Sequence, residues 1–203
     1  VPDHAPRITS RLVYNAFEPE TGYFYAGTYL GKKKVLSFGV CMDAQADAGL
    51  NENGQVDDYS AVGFDAFLDY PIGKNVITSQ FNYAKYENSV GGSNADVSIN
   101  GEGYFFELGY NMGQFEPLVA YESYEPDGAS GTVGKDLRYI VGLNYWMKKH
   151  VFNLKLQYAN RKSIGKVWDE ASAEITLQAQ FFFKAVDQKM APPEDVSTTC
   201  TGN

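Results

Sequence analysis

Charged and amide side chains recur in this chain at even intervals within stretches rich in Val, Leu, Tyr and Phe. Arg7 and Arg11 form one such pair, Asp65 and Asp69 another; Arg138 and Asn144, Lys155 with Gln157 and Arg161, and Glu174 and Gln178 repeat the pattern. Asp43, Glu107 and Glu122 fall into the same scheme, together with Gln80, Asn82 and Asn111. Even spacing on an extended chain sends side chains to one face. The chemistry that suits such rows is electrostatic, because fixed charges of both signs facing confined water create a field that orients and steers polar solutes. Bond-making chemistry has little footing. His4 lies near the terminus and His150 in a turn, neither beside a nucleophile or metal ligand. No glycine-rich phosphate loop opens a helix, and Asp65 and Asp69 are too far apart along a strand to share a proton. The sequence therefore predicts no catalytic residue, no cofactor, no metal site and no enzyme.

The elements that carry these rows read as strands, over about 7–17, 35–46, 59–70, 76–86, 103–112, 115–125, 137–147, 151–161 and 172–183. In the last of them Ala173, Ile175, Leu177, Ala179, Phe181 and Phe183 alternate with Glu174, Thr176, Gln178 and Gln180. Period two marks a sheet with one greasy and one wet face. The breakers between the runs alternate in length. Pro71–Lys74, Gly113–Gln114 and Lys148–His150 are short, whereas 47–58, 87–102, 126–136 and 162–170 are long. Up-and-down strands place every second connection at the same end, so long loops gather at one end and tight turns at the other. That asymmetry is characteristic of an outer-membrane barrel. The expected fold is all-β, a transmembrane antiparallel up-and-down β-barrel.

Composition agrees with that class. Aromatic residues make up 15% of the 203 residues, with 15 Tyr and 13 Phe, and no apolar run approaches the roughly 20 residues of a spanning helix. Barrels hide their hydrophobicity in alternation. Two aromatic belts are expected: Tyr70, Tyr110, Phe115, Tyr145, Trp146 and Phe152 beside the short turns, and Tyr83, Tyr86, Tyr121 and Tyr124 toward the long loops. A net charge of −8 excludes a phosphate-neutralising nucleic-acid surface. Much of the acidity lies in the long loops, where hydration is the default role. The segment Asn51–Asp58 weakly resembles a calcium loop, but Gly49 occupies its first ligand position and no helices flank it. Cys41 and Cys200 read as free thiols. The chain opens at Val1 without the features of a signal peptide, as a processed or partial chain would.

A family resemblance adds to this reading. Arg11–Asn15, Glu20, Gly22–Tyr25 and Gly27–Leu36 resemble the middle of porins of the phosphate-selective (O and P) family. Asp65–Gly73 is similar to that family's next hairpin, and Tyr139–Trp146 with Asn153–Tyr158 to its penultimate one. The resemblance covers nearly all of residues 7–183. It implies a sixteen-stranded, trimeric outer-membrane pore, of which residues 1–183 are the C-terminal barrel portion with further strands preceding it. Two departures stand out: residues 184–203, read as a flexible periplasmic tail, follow the terminal aromatics, and the family's arginine ladder lies largely outside this stretch.

The expected function is passive diffusion of small polar or charged solutes through a bacterial outer-membrane pore, with an anion preference possible. Arg7, Arg11, Asp43, Asp65, Asp69, Glu107, Glu122, Arg138, Lys155, Arg161 and Glu174 would line it. Partners would be the lipid bilayer and lipopolysaccharide, small polar or anionic solutes, and two further copies in a homotrimer, with no nucleic acid. The alternatives are a structural or adhesive barrel acting through its acidic loops, and a soluble β-sandwich.

Overall fold

In the computed structural model the described residues are 5–19, 28–50, 54–88, 100–126, 134–164 and 170–181. His4, Cys200 and the 184–203 tail lie outside them, as do Phe182 and Phe183. The strands are β1 (Ile8–Asn15), β2 (Val35–Leu50), β3 (Val56–Ile72), β4 (Asn75–Asn88), β5 (Gly101–Asn111), β6 (Phe115–Pro126), β7 (Lys135–Tyr145), β8 (Met147–His150), β9 (Phe152–Ile164) and β10 (Glu170–Phe181). Nine of them form one sheet in the order β1-β2-β3-β4-β5-β6-β7-β9-β10, every pair antiparallel. It is an up-and-down meander. The four-residue β8 stays outside the ladder, within the connection from β7 to β9. β1 and β10 are the two edges and are not paired with each other. No helix occurs among the described residues.

The sheet strands run longer than their breakers suggested. β2 has 16 residues and β3 has 17, so the connection expected over 47–58 shrinks to 51–55, and that over 162–170 to 165–169. The extra length of β2 passes through a bulge between Gln45 and Gly49, where Asp47 takes a φ of 51° and receives the Asp58 carboxylate on its N–H at 2.9 Å. Aspartate tolerates this left-handed conformation because its short side chain bonds locally. At the other end, Gly73 (φ 63°) and Gly113 (φ 79°) each open a tight hairpin turn in which only the first central residue is left-handed. This is the II′ pattern, whose twist matches the flanking strands.

One connection breaks the expected length rule. The link from β1 to β2, residues 16–34, belongs to the short-turn end and is far from short. Of its described parts, 16–19 and 28–34, the second folds across that end of the sheet. The Thr28 hydroxyl and Tyr29 N–H donate to Asp69 Oδ2 of β3 at 2.8 and 2.6 Å, and Gly31 lies against Val76 of β4. Lys32 comes within electrostatic range of His150 in the β7–β9 connection, and His150 is hydrogen-bonded to the Thr28 backbone. Between this strap and the turns lies a cavity of about 770 Å³ lined by Lys32, Lys74, Trp146, Lys149 and His150 among others.

Candidate functional site

The registers separate two faces cleanly. Leu12 pairs Val40, Val40 pairs Phe64, and Phe64 pairs Tyr83. The row continues through Tyr104, and parallel rows run Phe106–Tyr121–Tyr139 and Val119–Val141–Tyr158–Ile175. Most of these side chains are exposed, Leu12 at 71% and Ile175 at 75%, and among the described residues no second layer covers them. The charged residues of this face, such as Lys85, Glu87, Glu102, Glu125, Lys135 and Lys162, lie at the strand ends beside the long connections. Between the two ends the apolar band is free of charge.

Aromatic rings border that band. Phe115 stacks on Tyr145 at 4.8 Å and Phe152 on Phe181 at 4.5 Å near the short turns, where Asn75 also donates to the Tyr110 hydroxyl. Tyr121 sits 5.7 Å from Tyr104 and 5.0 Å from Tyr139 toward the long connections, and Tyr83 donates to Glu102 at 2.8 Å. Three residues expected in these belts are elsewhere. Tyr86 and Tyr124 have the opposite parity, pairing Ala61 and Asp136 on the polar face. Trp146 has the parity of Arg138 and Asn144: its N–H donates to the Gln114 carbonyl, one step beyond the Phe115–Tyr145 pair, and its buried indole donates to Glu116 of the polar face at 2.7 Å.

Every expected site residue falls on the other face. Asp43, Asp65, Asp69, Glu107, Glu122, Arg138, Lys155, Arg161 and Glu174 occupy its registered positions, Arg11 pairs Cys41 within it, and Arg7 bonds Asp43 from just before β1. Carboxylates missing from the expected set join them, among them Glu116 opposite Asn144 and Asp136 opposite Ser163. Glu116 has the parity of Glu122, a signal that was present in the sequence and hidden by its closeness to the Gly113–Gln114 turn. Among the described residues this face thus holds five cations: Arg11, Arg138, Lys155 and Arg161 at registered positions, and Arg7 just before the first of them. Carboxylates outnumber them: Asp43, Asp65, Asp69, Glu107, Glu116, Glu122, Asp136 and Glu174 lie on this face, and Asp57 shares its parity at the outer end of β3.

This face is the inner side of the curve. Ala120, Ile140 and Ala159 are buried on it against Phe105 and Leu118 although no second layer covers them among the described residues, so the burial comes from crowding between neighbouring strands. Side chains also meet across an intervening strand, where a flat sheet would hold alternate strands roughly 9–10 Å apart. Arg11 of β1 reaches Asp65 of β3 at 2.9 Å, Thr78 of β4 reaches Glu116 of β6 at 3.1 Å, and Arg138 of β7 reaches Glu174 of β10 at 3.4 Å. Glycine leaves the room. A Cβ on Gly39 would stand 2.4 Å from an Asp65 oxygen, and one on Gly109 2.5 Å from Thr78 Oγ1.

The four arginines are all tethered. Arg7 meets Asp43 through two nitrogens and stacks 5.0 Å over Tyr59; Arg161 meets Asp136 at 2.7 Å; Arg138 divides itself between Glu122 and Glu174 at 3.4 Å each. Arg138 and Arg161, with Glu122, Asp136 and Glu174, line a cavity of about 440 Å³. Glu116 is held instead by neutral donors, Thr78, Asn144 at 3.2 Å and Trp146. Among the described residues no cluster of His, Cys, Asp or Glu has the geometry of a metal site, and Cys41 is a free thiol beside Gly63. Asp57 and Asp58 of the calcium-like segment lie in β3, while Asn51–Asn53 fall outside the described residues.

No family model, curated protein or solved structure matches this chain.

Proposed function

We propose that this chain forms part of the wall of a transmembrane β-barrel that passes small polar and charged solutes by passive diffusion, as outer-membrane porins do. One observation carries the reading: over nine registered strands an exposed, charge-free apolar band backs onto an inner face that holds every charge of the rows. A soluble sandwich buries its apolar face and exposes its polar one; here the order is reversed. Strand length supports the same choice. A tilted strand needs about 9–11 residues to cross a bilayer. β5 and β7 have 11, β6 and β10 have 12, and β2, β3, β4 and β9 have more.

In this reading the apolar band meets lipid, the aromatic borders sit at headgroup depth, and the outer rim faces lipopolysaccharide. Closure requires partners for β1 and β10, which further strands of the same kind would supply. A sixteen-stranded barrel in a homotrimer is the assembly we propose from the family resemblance. The anion preference is not carried forward, because carboxylates outnumber cations on the inner face. Planar-bilayer recording of the native protein tests the proposal: stepwise conductance is expected. A folded, inserted protein that passes no current would point instead to a structural or adhesive barrel, and a protein extracted monodisperse without detergent would remove the membrane altogether.

A further inference from the structure

We propose that the inner face selects cations over anions, because each of its arginines is held by carboxylates that outnumber the cations. The inference rests on the channel reading above. A guanidinium favours anions when its N–H fork points into water, since that fork matches carboxylate and phosphate oxygens. Here the forks are occupied. Arg7, Arg11 and Arg161 each engage an aspartate from a neighbouring or next-neighbouring strand, and Arg138 is divided between two glutamates.

Such pairs approximate dipoles, whose fields fall away faster than that of a single charge. What remains at a distance is the excess, since carboxylates outnumber the five cations along these strands. Asp57, which alternates with Tyr59 at the outer end of β3, adds to the acidic side. The donors recorded to Glu116 are neutral, so none of them offsets a charge there. Lys155, the cation of this face without an ion pair among the described residues, sits among amides, opposite Asn144 and Gln178. A wall with one sign in excess concentrates the opposite ion in the water it confines. Sodium-like and ammonium-bearing solutes, including amino acids that carry both charges, fit this wall better than phosphate or other polyanions.

The test is the reversal potential of the native protein in planar bilayers under a potassium chloride gradient, where the two bare ions have nearly equal mobility. The expected result is a potassium-to-chloride permeability ratio above one, roughly two- to fivefold, modest beside the concentration effects of narrow one-signed clefts. Two substitutions in the 440 Å³ cavity sharpen it. Glu174→Gln loosens Arg138 and should move the ratio toward chloride; Arg138→Gln should move it toward potassium. A ratio of one or less in the native channel overturns the inference and leaves the porin reading intact. So does a native ratio above one that neither assembled variant shifts. A folded, inserted protein without conductance overturns both readings, and the native measurement stands whether or not the variants assemble.

Discussion

Glu116 concentrates several obligations on one side chain. It is 3% exposed and accepts from Thr78, Asn144 and Trp146, so its removal leaves three donors without their acceptor in a site closed to water. Glu116→Ala should cost about 2–4 kcal/mol of stability, with Glu116→Gln milder because the amide keeps one accepting oxygen. Denaturant unfolding in detergent, followed by tryptophan emission, measures this. A change within about 0.5 kcal/mol, the size of an ordinary surface substitution, would show that the cluster is ornamental. Gly109→Ala should injure the same cluster from the other side, since its Cβ would stand 2.5 Å from Thr78 Oγ1 and 3.0 Å from Glu116 Oε1. The two changes act on one contact. Their double mutant should therefore lose less than the sum of the singles. A periodic pattern tells which face Glu116 and Trp146 take, but not the strand register that brings the indole, Asn144 and Thr78 onto one carboxylate.

Along single strands the parity of a position should decide its tolerance to charge. Val141, flanked by Val119 and Tyr158 on the apolar band, and Gln157, opposite Gly142 and Thr176 on the inner face, lie on adjacent strands. Val141→Arg should cost about 2–4 kcal/mol if the band meets the bilayer midplane, whereas Gln157→Arg should assemble normally. Equal yields of the two folded barrels from detergent refolding would invert or abolish the assigned faces. The connection from β7 to β9 carries a pH signature of its own. Burial, with Lys32 adding repulsion, holds His150 below its ordinary value near 6.5, while a hydrogen bond to Thr28 and the charges of Asp69 and Glu116 act in the opposite sense. The folded protein then binds fewer protons at His150 than the unfolded chain. Stability should fall as pH drops through 6.5 and level off below the folded value, and His150→Phe should flatten that slope. A melting temperature equally pH-dependent in both proteins between pH 7.5 and 5.5 would assign the effect elsewhere. Strand existence and facing were readable because period two persists wherever a ladder does. Boundaries were not, since bulged ends such as Asp47–Leu50 pair through residues that also favour turns, and β8 carries no period at all.

For the whole molecule, the alternation of connections sets an orientation that proteolysis of intact cells can check. Cleavage is expected within 89–100 or 127–134, the long links of one end, and not at Gly73–Lys74 or Gly113–Gln114. Cuts confined to the tight turns would reverse the proposed orientation. The meander itself was legible in the sequence because each antiparallel neighbour needs only a local hairpin. The strap formed by 28–34 was not, because its partners Asp69, Val76 and His150 lie in three separate connections or strand ends far along the chain. That strap has a geometric consequence. It meets the link between β7 and β9 at Thr28 and leads into β2 after Lys34, so it spans the arc as a chord spans a bow. A curling sheet is ordinarily free to choose its radius until its margins meet. Seven residues bonded to β3, β4 and the β7–β9 link thus tie distant strands of the sheet to one another at this end, a restraint on its curvature that the ladder alone does not supply.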